Sequence, residues 1–263
     1  MRCNNIKETQ KVRKELNDDD LLRYSRQILI PTFDISGQQA LLEACVLVVG
    51  AGGLGCAASQ YLVAAGLGQL VLADSDTVDL ANLQRQVLYR EADIGEFKVL
   101  AAKRNLNALN SRCEITALPV NLDEYTLNEP GDRYQLIIDC SDNLTTRNLL
   151  NRLSLKRQIP LISGAAIRME GQLATFQPGV GESCYQCFSA LFGEQQLRCV
   201  ESGILSPVVG IIGNLQALEA IKLLCNLGEP SLDILQTYDA VSGHWQHFHI
   251  PRRANCPACQ SRS

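Results

Sequence analysis

Apolar residues fall into short unbroken runs, separated by longer stretches in which they recur every three or four positions. The runs "CVLVVG", "QLVLAD" and "YQLIIDCSD" are apolar on both faces, as strands buried in a parallel sheet are. "EITALPV" and "IPLISGA" read as two further strands. Helical periodicity fills the spaces between them: a segment from Gly53 towards Gly66 and Gly68, then "FKVLAAKRNLNALN", then "NLTTRNLLNRLSLKRQ". This strand–helix alternation predicts an α/β fold, a doubly wound, mostly parallel Rossmann-like sheet. Towards the C-terminus the pattern changes. "GQLATFQP", "LDILQTYDA" and "HWQHFHIP" predict antiparallel strands that extend the sheet. "PVVGIIGNLQALEAIKLLCNLG" predicts a long apolar helix opening at Pro207 and closing near Gly228. Before the first strand, "DDDLLRYSRQILI" predicts a short helix with an acidic start. Residues 1–17 are polar and read as a flexible N-terminal extension. With no internal repeat or proline-rich linker, 18–263 reads as one domain.

The 263 residues suffice to bury a sizeable core. A net charge of −4 gives no electrostatic reason to expect nucleic acid or an anionic membrane as partner. The N-terminus lacks the apolar segment of a signal peptide, and no apolar run of spanning length is free of Gly, Gln or charge, so the expected location is the cytoplasm. Eleven cysteines are many for such a chain. Without a secretory signal they do not read as a disulfide framework. Cys45, Cys56, Cys140 and Cys225 lie within apolar strands or helices and are expected to be small core residues.

The first chemical motif is "GAGGLG". Gly50, Gly52 and Gly55 have the spacing of a dinucleotide loop between a strand and a helix. Gly50 permits the tight turn, Gly52 lets a phosphate approach the backbone, and Gly55 lets the helix pack on the sheet. The helix N-terminus offers free N–H groups to an anion. Asp74 closes the next strand, where a carboxylate can accept from ribose hydroxyls. The motif does not separate NAD from ATP, and a purely structural glycine turn is the competing explanation. "NLQRQ" then places Asn82, Arg85 and Gln86 at the carboxyl end of the sheet, with Lys98 opening a later helix. Breaking a phosphoanhydride calls for such cations more than hydride transfer does; either one alone also reads as a solvated surface charge. "DCSDN" ends a strand with Asp139 and Asp142. A carboxylate there can hold Mg²⁺ together with phosphates. Asp139 reads rather as a turn or structural residue; helix capping is the competing explanation for Asp142, and Asn143 beside it is a further candidate for binding the nucleotide.

Two C-x-x-C pairs, Cys184/Cys187 and Cys256/Cys259, can supply the four thiolates of a closed tetrahedral Zn²⁺ site. Their separation exceeds that of a compact zinc ribbon, so the metal would staple the C-terminal segment to the middle of the chain. A redox pair is the alternative. His244, His247 and His249 lie in the last predicted strand and are not needed as ligands.

Together the glycine loop, "NLQRQ", Lys98, "DCSDN" and the paired C-x-x-C motifs resemble the adenylyltransferase family that activates ubiquitin-like sulfur carriers. The stretches "GCAASQYL", "SGAAIRMEGQ", "LFGEQQLRCVESGILSPVVG" and "NLQALEAIK" are similar to the molybdopterin-synthase branch more than to the thiamine branch. The resemblance covers about residues 18–260. It implies ATP as the nucleotide and, as substrate, the C-terminal glycine of a small ubiquitin-fold protein, which is converted to an acyl-adenylate with release of pyrophosphate. It also implies roles for residues: Gly53 and Asp74 on adenosine and phosphate, Arg85 and Lys98 on phosphate charge, Asp142 on Mg²⁺. Arg26, in "RYSRQILI", would reach the active site of the partner subunit in a homodimer. The sulfur would come from a separate donor protein. No sulfurtransferase domain is expected after Cys259, unlike in some longer relatives. Cys199, in "LRCVESG", is a candidate for thioester or persulfide chemistry; the molybdopterin branch implies that it is dispensable. An NAD-dependent oxidoreductase and a non-catalytic zinc-stapled nucleotide scaffold stay open beside this reading.

Overall fold

The structure is a computed structural model that describes residues 15–123, 134–191 and 203–260. Three short or medium helices lead in: α1 (Asp18–Arg23), α2 (Ser25–Ile28) and α3 (Asp34–Glu43). There follow β1 (Cys45–Val49), α4 (Gly53–Ala64), β2 (Gln69–Ala73), α5 (Lys98–Leu109), β3 (Glu114–Leu118), β4 (Leu136–Asp139), α6 (Leu144–Arg157), β5 (Leu161–Ile167) and β6 (Glu170–Phe176). The described chain closes with α7 (Tyr185–Ser189), α8 (Ser206–Cys225), β7 (Ile234–Asp239) and β8 (His244–His249).

The eight strands form one sheet in the order β3-β2-β1-β4-β5-β6-β7-β8. The pairs from β3 to β5 are parallel and those from β5 to β8 antiparallel. The expected doubly wound sheet with antiparallel extension is therefore present. The chain winds outward from β1 through β2 to β3, then returns to the other side of β1 as β4. The reversal opens a crevice at the carboxyl ends of β1 and β4, the place where such folds bind ligands. Val49 stands opposite both Ala73 and Asp139, so β1, β2 and β4 end level at that crevice.

Alternate residues of each buried strand feed two cores. Val46, Val48, Leu70, Leu72 and Ile138 face α4, α5 and α8; Leu47, Val49, Val71 and Ile137 face α6 and α7. α8 is long and apolar enough to cross a membrane by length and composition, but here it packs along α4 and over β4, β5 and β6. The crossing with α4 is close: a Cβ on Gly213 would lie 2.5 Å from the Leu54 carbonyl oxygen.

The single helix expected over "DDDLLRYSRQILI" is two. Tyr24 separates α1 from α2 because its side chain is buried, with its hydroxyl accepting from Asn110 Nδ2 at 2.8 Å. Of the N-terminal extension, residues 1–14 lie outside the described residues; Asn17 caps α1 through a capping box with Asp20. Cys45, Cys56 and Cys140 are buried, and Cys225 is half-buried.

Candidate nucleotide site and cysteine centre

Each glycine of the loop meets a different steric demand. Gly50 has φ +96°, and a Cβ there would lie 2.6 Å from the Cys140 carbonyl oxygen. A Cβ on Gly55 would lie 1.9 Å from the Gly50 oxygen, so the first turn of α4 folds directly onto the loop. Gly53 faces Val209 of α8, 2.4 Å from its would-be Cβ. Gly52 is different: its would-be Cβ meets only Gln86 Nε2, at 3.7 Å. Three glycines are thus occupied by close packing, while Gly52 leaves space beside the loop, where the free N–H groups of the α4 N-terminus stand.

Asp74, at the end of β2, folds back on this loop. Its Oδ2 accepts from Ala51 N at 2.7 Å and its Oδ1 from Asp76 N at 2.8 Å. Burial raises its carboxyl above the ordinary carboxylate range, against the lowering effect of those N–H groups and of Lys98. Tyr89 closes the loop from below, its hydroxyl donating to Ala51 O at 2.7 Å.

The segment after β2 carries the "NLQRQ" residues. Asp79 caps a short 3₁₀ turn at Leu80–Asn82, and the Asn82 carbonyl accepts from the N–H groups of Arg85 and Gln86. Arg85 is half-exposed and donates to Ala81 O at 3.0 Å. Gln86 is buried beside Gly52, and its Oε1 is one of the buried polar atoms without a partner. An acceptor short of a donor, next to the space at Gly52, fits a site that receives a hydroxyl or a bridging water with its ligand. Lys98 opens α5, buried, with its Nζ 2.8 Å from Asp76 Oδ2.

The turn after β4 approaches from the other side. Asn143, not Asp142, is the N-cap of α6, its Oδ1 accepting from Thr146 N at 2.9 Å. That leaves the exposed Asp142 carboxylate unused by capping. Asp139 is a structural residue, as the sequence suggests. Its Oδ1 accepts from Ser141 N at 3.0 Å and from the Ser141 hydroxyl at 2.6 Å; its Oδ2 accepts from the Ser163 hydroxyl at 2.8 Å. Arg147 adds a half-buried counter-charge at 3.9 Å and donates to Ser141 O at 2.7 Å. Gln216 of α8 donates to Asp139 O at 2.8 Å. The turn that presents Asp142 is therefore held from three elements. Asp76, Arg147 and Gln216 were not singled out from sequence. Only Asp76 leaves a signal there: in an extended "DSD" it points to the same side as Asp74.

Arg26 stands apart from these residues, exposed on α2, an element packed on α1 and α3. Cys199 lies outside the described residues. His244, His247 and His249 are exposed on the edge strand β8.

Cys184, Cys187, Cys256 and Cys259 converge as the sequence spacing requires. All four are buried, with sulfur separations of 3.9 Å for Cys184–Cys187, 3.7 Å for Cys184–Cys256 and 3.6 Å for Cys187–Cys259. A tetrahedral zinc with bonds of about 2.3 Å places its sulfurs about 3.8 Å apart, far from the ~2.05 Å of a disulfide. The donor set therefore fits a closed metal site. Donors point at the sulfurs, among them Asn151 Nδ2 at 3.6 Å from Cys184 and Arg253 N at 3.4 Å from Cys187, the outer hydrogen bonds that thiolate ligands attract.

A model of the ThiF family matches residues 24–258. The molybdopterin-synthase adenylyltransferase of Escherichia coli strain K12 is 47% identical over 245 residues, 93% of this chain and 98% of that protein. The sulfur carrier protein ThiS adenylyltransferase of the same strain is 41% identical over 244 residues, 93% of this chain and 97% of that protein. The crystal structure of E. coli MccB with ATP has the same fold, with a TM-score of 0.79 at 24% identity over 94% of this chain and 74% of that one. The family match takes in the glycine loop, the "NLQRQ" and "DCSDN" turns and three of the four cysteines, and with that span the chain belongs to the ThiF family.

Proposed function

We propose that this protein adenylates the C-terminal glycine of a ubiquitin-like sulfur carrier with ATP, and that the carrier is the small subunit of molybdopterin synthase. What supports the reading is that the glycine loop meets Asp74, the Arg85–Gln86 segment and the turn after β4 at the carboxyl ends of β1, β2 and β4, with Lys98 tied to the same region through Asp76, in a chain whose relatives are adenylyltransferases over nearly their whole length. The choice of carrier rests on the higher identity to the molybdopterin-synthase relative, 47% against 41%. The same crevice in an NAD enzyme would need a substrate acid or base, and all three histidines lie far off on β8.

In the reaction, a carboxylate oxygen of the carrier glycine forms a bond to the α-phosphorus. The bond from that phosphorus to the bridging oxygen breaks, and pyrophosphate leaves with the electron pair. A carboxylate is already a nucleophile, so no general base is required. Catalysis is positioning and charge stabilisation. Gly50, Gly52 and Gly53 shape the loop against the phosphates, and Asp74 takes the ribose. Arg85 and Lys98 neutralise charge that builds on the phosphates. Asp142 would hold Mg²⁺, which supplies Lewis-acid stabilisation of the leaving group. Zn²⁺ at the four cysteines is structural, since four thiolates leave no open position. Arg26 acts across a homodimer; the exposed Leu22, Leu29, Ile30 and Ile35 around it offer an apolar surface for a second copy.

ATP–pyrophosphate exchange with purified carriers, one at a time, tests the reading. Exchange is expected with the molybdopterin-synthase small subunit. Arg85→Ala, Lys98→Ala and Asp142→Ala should each lower it about 100-fold or more with unchanged melting temperature. Exchange with the thiamine carrier alone would move the protein to the other branch. NADH binding with no exchange on any carrier would overturn the proposal.

A further inference from the structure

Lys98 raises a question that its assigned role leaves open. An ammonium at the first position of a helix faces the positive end of the helix dipole, which disfavours it. It is also almost wholly withdrawn from water, with 7% of its side chain exposed. A buried ammonium in that position needs a counter-ion, and Asp76 is placed to be one. Its Oδ2 accepts from Lys98 Nζ at 2.8 Å, while its own side chain is 67% exposed. The backbone fixes this pairing from both ends. Lys98 N donates to Asp76 O at 2.9 Å, Val78 N donates to Glu96 O at 2.8 Å, and Thr77 and Phe97 form an antiparallel bridge between the two segments. Asp76 N in turn donates to Asp74 Oδ1 at 2.8 Å. One residue thus links the ribose-side carboxylate to the phosphate-side cation.

An ammonium has three donors, and among the described residues only Asp76 takes one from Lys98. The remaining two are free for an anion. The carboxylate that orients Lys98 is itself an anion at the edge of the place where the phosphates arrive, so it opposes their binding while it aims the cation.

Resting on the adenylation reading above, we infer that Asp76 is the positioning residue for Lys98: it holds the ammonium aimed at the phosphates at the expense of weaker binding of ATP in the ground state. Removing its charge then splits the kinetic constants. Asp76→Asn, isosteric and at an exposed side chain, should bind ATP about 3- to 10-fold more tightly, because one repelling charge is gone. Turnover in pyrophosphate exchange should fall about tenfold, because the cation is no longer aimed. Asp76→Glu keeps the counter-ion and should stay within about threefold of the wild type in both.

The decisive measurements are calorimetric binding of ATP and of adenosine, and turnover in pyrophosphate exchange, for the wild type, Asp76→Asn, Lys98→Met and the double variant. Tighter ATP binding in Asp76→Asn with unchanged adenosine binding is expected, and the gain should persist once Lys98 is Met, because the repelling charge goes in either background. In exchange, Asp76→Asn should add no further loss to Lys98→Met, since a residue that acts through another has nothing left to act on. Parallel loss of ATP and adenosine affinity, or a loss of turnover from Asp76→Asn that persists in the Lys98→Met background, would overturn the inference. The binding arms need no carrier. Tighter ATP binding in Asp76→Asn while no carrier supports exchange therefore refutes the adenylation reading and leaves Asp76 placed against the phosphates; active exchange in which the two losses of turnover add does the reverse.

Discussion

At the scale of single residues, the glycines of the loop separate folding from binding. Gly55→Ala drives a methyl into the Gly50 carbonyl at 1.9 Å. With backbone on both sides there is no flexible group to yield, so the variant is expected to lose about 3 kcal/mol or more, read as a fall in thermal melting. Gly52→Ala meets nothing nearer than 3.7 Å. It should melt with the wild type yet bind ATP about tenfold or more weakly, because its methyl occupies the space left beside the loop; equal loss of stability in both variants would remove the distinction. The spacing of the three motif glycines was readable from sequence because each answers a local backbone need. The role of Gly53 against Val209 was not, since its neighbour comes from a helix more than half the chain away. Asp142 and Asn143 show the same limit on a smaller scale. Either can cap a helix, and only the geometry assigns the cap to Asn143.

At the scale of elements, α5 matters because it carries Lys98, and its anchorage is a cluster around Asp93. Burial alone would raise the Asp93 carboxyl. Hydrogen bonds from Arg90 N, Asn105 and Arg104 outweigh it and hold the carboxyl below the ordinary carboxylate range. A depressed folded-state value means that the ionised form favours folding. That contribution is present above the unfolded-state value near 4 and is lost as pH falls through the lower folded-state value. Asp93→Asn should therefore cost about 2 kcal/mol at pH 7, and its melting curve should begin to approach the wild type only as pH falls below about 4, meeting it once pH is below the depressed folded-state value. The helices and strands themselves were largely legible, because each presents an apolar face at its own period. The split of the first helix was not: Tyr24 leaves helical geometry to reach Asn110, a partner that no local pattern reveals.

At the scale of the whole molecule, alternation of strand and helix announced a parallel sheet, yet not where the winding reverses. The same alternation fits several strand orders, and the chain fixes one only by which faces it buries. The reversal between β1 and β4 is nevertheless what assembles the site, by bringing "GAGGLG" and "DCSDN" to one edge. The cysteine pairs were the clearest long-range signal in the sequence, because four soft ligands at paired spacing have few other uses. Single Cys→Ser changes at 184, 187, 256 or 259 are expected to lower zinc content and melting temperature together, since binding free energy at such a centre is folding free energy; fully active protein lacking stoichiometric zinc would refute the assignment. The four sulfurs also carry a record of biosynthesis. Each cross-chain contact joins residues 72 positions apart, so the first pair is made and must wait while α8, β7 and β8 are added. A nascent or nicked chain that stops short of Cys256 leaves two thiols beside each other with no means of closing the tetrahedron. A chain that can close a metal tetrahedron on these four sulfurs has therefore been translated at least to Cys259, with β7 and β8 made before the second pair arrives.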